Sequence, residues 1–196
     1  MDSMPPSRPV FQQLDRCADR PYSRSEYVRR LAWEWVQLLL IRPSPRRAYG
    51  WRRFWLTRFG AKLQPTSRTR PTTRVFHPWL LTMGHHSILA DDVKAYNLGP
   101  ITVGDHTVVS QGAYLCAGTH DHTQPDLPLM RRPVNIGSGV WICTEAFIGP
   151  GVTVGNNAIV GARAVVTRDV AENVIAAGNP AQVVKPRLGD AHEKTA

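Results

Sequence analysis

Aliphatic residues recur at every sixth position through the second half of the chain. The spacing is unbroken from Ile136 through Ile142, Ile148, Val154 and Val160 to Val166. A helix has a period near 3.6 and a half-buried strand a period of 2, so neither explains this pattern. A repeat of six predicts an all-β solenoid in which each hexad forms a short strand and a bend, and three hexads close one coil. Parallel strands of successive coils then stack ~4.8 Å apart.

The other hexad positions are also restricted. The second is usually Gly or another small residue, and the fifth is small or β-branched, as in Ala146, Val152 and Ala158. We expect the glycines to supply the positive φ angles of sharp corners, and the fifth position to pack near a corner. A β-sandwich would instead alternate and turn every 8–12 residues, which fits the hexads poorly.

Two breaks interrupt the repeat. NLGP at 97–100 shifts its phase, and DHTQPDLPLMRRPVN spans the fifteen residues 121–135. Fifteen residues are three fewer than a coil of about eighteen, so this segment cannot continue the solenoid. The pattern predicts one long projecting loop, where function usually resides.

The N-terminal part follows different rules. Ser23 and Glu26 form a capping box that opens a helix ending by Arg42. A second amphipathic helix covers 49–60, with Gly60 as its stop. We therefore divide the chain into an arm (1–22), a helical and then extended segment (23–82), a β-helix (83–187) and a tail (188–196).

The formal charge of +9 is concentrated at one end. Residues 1–82 hold 16 Lys and Arg against 5 acidic residues, whereas residues 83–196 hold 8 against 10. Trp33, Trp35, Trp51 and Trp55 lie among these arginines. These tryptophans have two interpretations: they pack the helices against each other and the main domain, or they make weak peripheral contact with a membrane. A non-catalytic scaffold that docks to membrane or nucleic acid is an alternative function, although we expect no nucleic-acid partner.

Location is indicated by weaker signals. The cysteines number three, form no metal-binding spacing and accompany no secretory signal, which favours reduced thiols in the cytoplasm. The apolar run VQLLLI is far shorter than the ~20 residues that span a bilayer.

Four longer stretches carry a resemblance to known proteins: RPSPRRAYGWRRFWLTRFGAKL, YNLGPITVGDHTVVSQGAYLCAGTHDHT, IGSGVWICTEAFIGPGV and VVTRDVAENVIAAGNPAQVVKPR. Together with the hexads, they resemble the hexapeptide-repeat acyltransferases, and most of all the colanic-acid and exopolysaccharide acetyltransferases of that family. The match covers about residues 25–187. It implies a left-handed parallel β-helix, a homotrimer with sites between subunits, acetyl-CoA as co-substrate, and a sugar or saccharide precursor as acceptor.

His120 is the candidate catalytic residue. Acetyl transfer to a hydroxyl needs a base for the hydroxyl proton and donors for the oxyanion. Histidine suits the base role because its unperturbed pKa of ~6.5 leaves it largely neutral in the cytoplasm. His120 ends a hexad where the loop begins, and it matches the family's catalytic histidine in G-T/S-H-D. His122 is expected only to line the site.

The resemblance also assigns the coenzyme A positions. Thr144 provides a backbone N–H for the thioester, and Arg168 and Lys185 suit phosphates; the full set is Thr144, Ala162, Thr167, Arg168 and Lys185. Gln182 stands where relatives carry a basic residue, which departs from the family pattern.

On the acceptor side, the resemblance places Asn97 beside the substrate. Trp141 either walls the pocket or packs structurally. The γ-class carbonic anhydrases share this repeat and remain an alternative, but their zinc site uses two histidines separated by four residues, and no such pair occurs here. We expect no metal.

Overall fold

A computed structural model describes residues 10–17 and 22–187. Most of the chain winds into a three-sided solenoid, whose faces we call A, B and C. Face A contains β1 (Lys62–Leu63), β4 (Leu81–Met83), β7 (Ile101–Val103), β12 (Val134–Ile136) and β15 (Thr153–Val154). Face B contains β2 (Arg68–Thr69), β5 (Ile88–Leu89), β8 (Val108–Val109), β13 (Trp141–Ile142), β16 (Ile159–Val160), β18 (Val174–Gly178) and β19 (Ala181–Pro186). Face C contains β3 (Arg74–Val75), β6 (Lys94–Tyr96), β9 (Tyr114–Cys116), β14 (Phe147–Ile148) and β17 (Val165–Val166).

Successive coils stack in parallel register. Trp141 pairs with Val108 above and Ile159 below, and the first aliphatic residue of each hexad points inward. Ile142, Ile148, Val154 and Val160 are all fully buried. The predicted left-handed parallel β-helix of hexapeptide repeats, with its N-terminal helical segment and projecting loop, is confirmed.

The solenoid starts a full coil earlier than the predicted boundary at residue 83. β1 already pairs with β4, through Lys62 with Thr82 and Leu63 with Met83. Leu63, Thr69 and Val75 do keep the spacing of six. A polar threonine at the middle position and the neighbouring prolines conceal the repeat, so the segment that we expected only to be extended forms the first coil.

The glycines have two roles, of which only one was expected. Gly104, Gly137 and Gly155 occupy the second hexad position, where an added Cβ would lie 2.5–2.6 Å from the next coil. Close stacking therefore demands glycine there. The positive φ angles belong to the fourth position. It is glycine at Gly112, Gly139 and Gly151, as expected, but other residues adopt the same conformation, as at Glu145 (56°) and Asn157 (55°).

Two helices cover the open N-terminal end. The first comprises α1 (Arg24–Val36) and a π-helical turn (Gln37–Ile41), and α2 spans Tyr49–Arg58. Ser23 caps α1 by accepting from the backbone N–H of Glu26 at 3.2 Å, as predicted. Elsewhere, short 3₁₀ turns occur at Leu14–Arg16 and Pro78–Leu80. The rest of the predicted arm and the tail 188–196 lie outside the described residues.

Side chains from these helices complete the exposed strand edges of the first coil. Trp33 donates its indole N–H to the Val75 carbonyl at 2.6 Å, and the Gln37 side chain accepts from the Val75 N–H at 3.0 Å. Buried Arg52 donates to the Thr69 carbonyl at 2.7 Å. The helices thereby satisfy backbone groups that an open strand edge would leave unpaired.

Candidate active site

A β-hairpin projects from the edge where face C meets face A. β10 (Gly118–His120) pairs antiparallel with β11 (Leu129–Arg131), which places His120 opposite Leu129. This hairpin is the long loop that the sequence predicts. His120 ends β10, is exposed, and stands where the chain leaves the solenoid.

The hairpin determines the tautomer of His120. Its Nδ1 lies 2.6 Å from the carbonyl oxygen of Leu127. A carbonyl can only accept, so Nδ1 carries the proton and donates. The lone pair therefore resides on Nε2, which is the nitrogen able to receive a proton.

Leu127 holds that carbonyl in position through an uncommon backbone conformation. Its φ is +46°, and it is the only non-glycine residue with positive φ in the described chain that lies outside the solenoid corners. Such a conformation costs on the order of 1–2 kcal/mol in a residue with a Cβ. Two backbone hydrogen bonds stabilise this conformation. The Leu127 N–H donates to the Gln124 carbonyl, and the Asp121 N–H donates to the Pro128 carbonyl. Sequence reasoning missed Leu127, because nothing in a leucine signals this role.

Asp121, although adjacent, does not orient the imidazole. Its carboxylate accepts from the backbone N–H of Thr123 at 3.0 Å and from its hydroxyl at 2.6 Å. These hydrogen bonds lower the pKa of Asp121. A backbone carbonyl, rather than a carboxylate, is thus the partner of His120.

The N-terminal segment supports the hairpin from outside. Gln13 N–H donates to the Pro125 carbonyl at 2.8 Å. Glu26 at the start of α1 forms an ion pair with Arg131 of β11 at 3.4 Å. Arg131 also lies over the ring of Tyr22, 5.1 Å from its centroid. Arg131 therefore holds the hairpin against the helical segment.

Thr144 and Ala162 occupy equivalent corners of adjacent coils, on the edge between faces B and C. The Arg163 N–H donates to the Thr144 carbonyl at 2.9 Å, and the Thr144 hydroxyl donates to the Gln111 carbonyl at 2.9 Å. Within residues 10–17 and 22–187, the backbone N–H of Thr144 has no hydrogen-bond acceptor. It remains free to donate to another molecule.

The other predicted positions fall into two groups. Trp141 is 47% exposed on face B, where its indole N–H donates to the Ser110 hydroxyl at 3.0 Å, and exposed Lys185 lies on β19 of the same face. Thr167 and Arg168 are exposed on the edge between faces C and A, the edge that carries the hairpin. In a three-sided rod, face B lies opposite that edge. One chain therefore does not bring His120 together with Trp141, Thr144 or Ala162.

The placement of Asn97 needs correction. Its side chain is fully buried, accepts from the N–H groups of Phe76 and His77, and donates to the His77 carbonyl. This amide closes the preceding corner and has no exposed surface, so it does not line an acceptor pocket. The neighbouring His77 is also buried, which lowers its pKa to about 4.

The two cysteine thiols of the solenoid, Cys116 and Cys143, are poor nucleophiles. Burial raises the pKa of Cys116 and of Cys143, and the Cys116 thiol lies 3.2 Å from the Gly118 carbonyl. Because the thiolate is the reactive form, neither cysteine is prepared for acylation.

The described part of the chain contains neither a candidate metal site nor a candidate membrane-spanning helix. Among residues 10–17 and 22–187, no group of three His, Cys, Asp or Glu side chains could hold a metal ion. Within the same residues, no helix has both the length and the apolar character needed to cross a bilayer.

Known proteins resemble this chain in sequence and fold. Residues 133–168 match the family model "Bacterial transferase hexapeptide (six repeats)". The chain is 42% identical over 156 residues to "Putative colanic acid biosynthesis acetyltransferase WcaF" of Escherichia coli, covering 80% of this chain and 86% of that protein. It belongs to the hexapeptide-repeat acyltransferase family.

Two more distant proteins are similar in part of the sequence or in fold. The galactoside O-acetyltransferase of Escherichia coli is 34% identical over 88 residues, 43% of each chain. The structure of hexapeptide-repeat acetyltransferase VCA0836 of Vibrio cholerae, solved with acetyl coenzyme A, superposes with a TM-score of 0.75 at 24% identity. That superposition covers 87% of this chain and 93% of the other, and it shows the shared fold.

Proposed function

We propose that this protein is an O-acetyltransferase that moves an acetyl group from acetyl-CoA to a hydroxyl of a sugar or saccharide precursor. The observation that carries the proposal is the exposed His120, whose Nδ1 proton is held by the Leu127 carbonyl at 2.6 Å. That arrangement leaves Nε2 as a base for an acceptor hydroxyl. The sugar class is supported by the names of its relatives, which include a colanic acid and a galactoside acetyltransferase.

His120 performs the proton transfers in this mechanism. Nε2 removes the hydroxyl proton while the acceptor oxygen bonds to the thioester carbonyl carbon, forming a tetrahedral oxyanion. The free N–H of Thr144 is our candidate donor to that oxyanion. Collapse breaks the carbon–sulfur bond, and the imidazolium returns the proton to the departing thiolate, which leaves as CoA-SH. The raised pKa values of Cys116 and Cys143 support direct attack without an acyl-enzyme.

We assign the site to the groove between two subunits of a homotrimer. His120 lies on the edge opposite face B, which carries Trp141, whereas Thr144 and Ala162 lie on the edge between faces B and C. These groups can act on one substrate only if neighbouring chains supply the two sets. Exposed Arg168 and Lys185 are proposed partners for phosphates, with Thr167 beside them. Gln182, also exposed, supplies no charge.

The location proposed for this reaction is the cytoplasm. All three cysteines are free, which is the usual state of thiols in a reducing compartment.

A mixing experiment tests the shared site. His120→Ala lacks the base, and Ala162→Trp fills the opposite side of the groove, so each homotrimer is expected to be inactive. Subunits mixed equally and reassembled restore roughly a quarter of the grooves, because each groove needs an intact contribution from both neighbours. CoA release in the acetyltransferase assay measures the recovery. No recovery in trimers shown by mass spectrometry to be mixed would place both residues in one chain's site.

The activity itself is tested with a panel of acceptors. Free sugars, nucleotide sugars and lipid-linked sugars are each incubated with acetyl-CoA, and thiol release is followed. We expect acceptor-dependent release with at least one saccharide class, and product mass increased by one acetyl group. Release that does not depend on an acceptor, or acetylation of amines alone, would contradict O-acetyl transfer to sugars.

A further inference from the structure

The helical cap presents apolar side chains on its outer surface as well as on its inner one. Trp33, Ile41 and Leu56 face the solenoid and are 1–4% exposed. On the opposite side, six large apolar side chains are 44–59% exposed; we call them the outer face: Leu31, Trp35, Leu38, Leu39, Trp51 and Phe54. Packing of the helices onto the solenoid therefore does not explain these six exposed residues.

The outer face extends from the first helix onto α2. The π-helical turn at Gln37–Ile41 leaves the consecutive Leu38 and Leu39 exposed while Ile41 is buried. The indole N–H of Trp51 on α2 donates to the Leu40 carbonyl at 2.8 Å, which joins α2 to that turn. Leu39 and Trp51 line one shallow depression. The apolar side chains of the π-helical turn thus adjoin those of α2.

Arginines accompany this surface. Residues 22–60 contain nine arginines, no lysine and two acidic residues. Arg42, Arg47 and Arg58 are exposed and form no ion pair with any residue in the described ranges. A surface with this charge attracts anionic groups, and guanidinium binds phosphate in a bidentate manner.

We propose that the outer face of the cap docks onto an anionic lipid bilayer. Leucine and phenylalanine side chains insert at the level of the acyl chains, tryptophans lie at the polar boundary, and the arginines contact lipid phosphates. A second copy of the same face is a poorer occupant, because it would bring two sets of unpaired arginines together. Docking by the cap holds the enzyme by one end of the solenoid, since Arg52 and Trp33 attach the cap to the first coil. This binding does not depend on the proposed acetyl transfer.

Vesicle sedimentation of the full-length protein tests the proposal. We expect binding to phosphatidylcholine vesicles that contain phosphatidylglycerol, weaker binding to phosphatidylcholine alone, and loss of binding as sodium chloride rises. Leu31→Gln with Leu39→Gln is expected to weaken binding about tenfold or more, since apolar insertion is lost. The control is Val183→Gln with Val184→Gln, a pair 58% and 64% exposed on β19 at the other end of the solenoid. We expect this control to bind as wild type does.

Other results would overturn the proposal. One is failure of the wild-type protein to sediment with anionic vesicles at low salt. Another is equal binding by both double variants. If Leu31→Gln with Leu39→Gln instead changes the molar mass measured by light scattering, the outer face is a contact between copies. Circular dichroism confirms that each variant is folded before comparison.

Discussion

Replacement of His120 by alanine is expected to lower kcat by about 10²–10⁴-fold, the usual contribution of a general base. Without Nε2 the acceptor hydroxyl must lose its proton to water while it attacks the thioester. The hydrogen bond from His120 Nδ1 to the Leu127 carbonyl is also lost. Thiol release at saturating acetyl-CoA and acceptor measures the change.

His122→Ala is the matched control. His122 is an exposed histidine two residues away in the same loop, so its loss should alter kcat only slightly. Acetyl-CoA binding by calorimetry should survive in both variants, because neither residue is proposed to hold the coenzyme. A His120→Ala enzyme with near-normal kcat would remove this residue from the chemistry.

Ile148→Ala is expected to lower the free energy of unfolding by about 2–5 kcal/mol. Ile148 is fully buried in face C, between Leu115 of the coil above and Val166 of the coil below. Truncation removes apolar burial and leaves a cavity that the stiff coils close only in part. Urea denaturation at a fixed protein concentration gives the value.

Ile159→Ala provides the comparison for this substitution. Ile159 precedes an inward residue, faces outward on face B, and is only partly buried. We expect it to cost about 1 kcal/mol or less. Equal costs for the two isoleucines would contradict the assignment of inward and outward positions.

Much of the fold could be predicted because hexad spacing reports directly which residues point inward. Ile136 to Val166 identified the coils, and the Ser23 cap identified the start of the first helix. The first coil escaped notice because Thr69 occupies an aliphatic position. The corner role expected of the glycines holds at Gly139 and Gly151, but not at the second hexad position, since a sequence does not reveal that an adjacent coil leaves no space for a Cβ.

The site was predictable only in part. His120 followed from its motif and its position at the start of the loop, but its partner Leu127 did not. Asn97 was misassigned because a polar residue beside a break can face either solvent or the backbone of the preceding corner. Here three hydrogen bonds to the backbone of Phe76 and His77 hold the Asn97 amide in the interior.

The sequence by itself determined the repeat and the projecting loop, because both follow from local spacing and residue type, whereas His120 is proposed as the base because its motif resembles that of the family. Only the tertiary structure decided how the candidate site residues are distributed around the rod. Each hexad turns one corner, so residues close in sequence, such as His120 and Thr144, emerge on different edges. The hairpin, which lies outside the coils, places the Leu127 carbonyl at Nδ1 of His120 through a left-handed backbone conformation that no local sequence signal indicates.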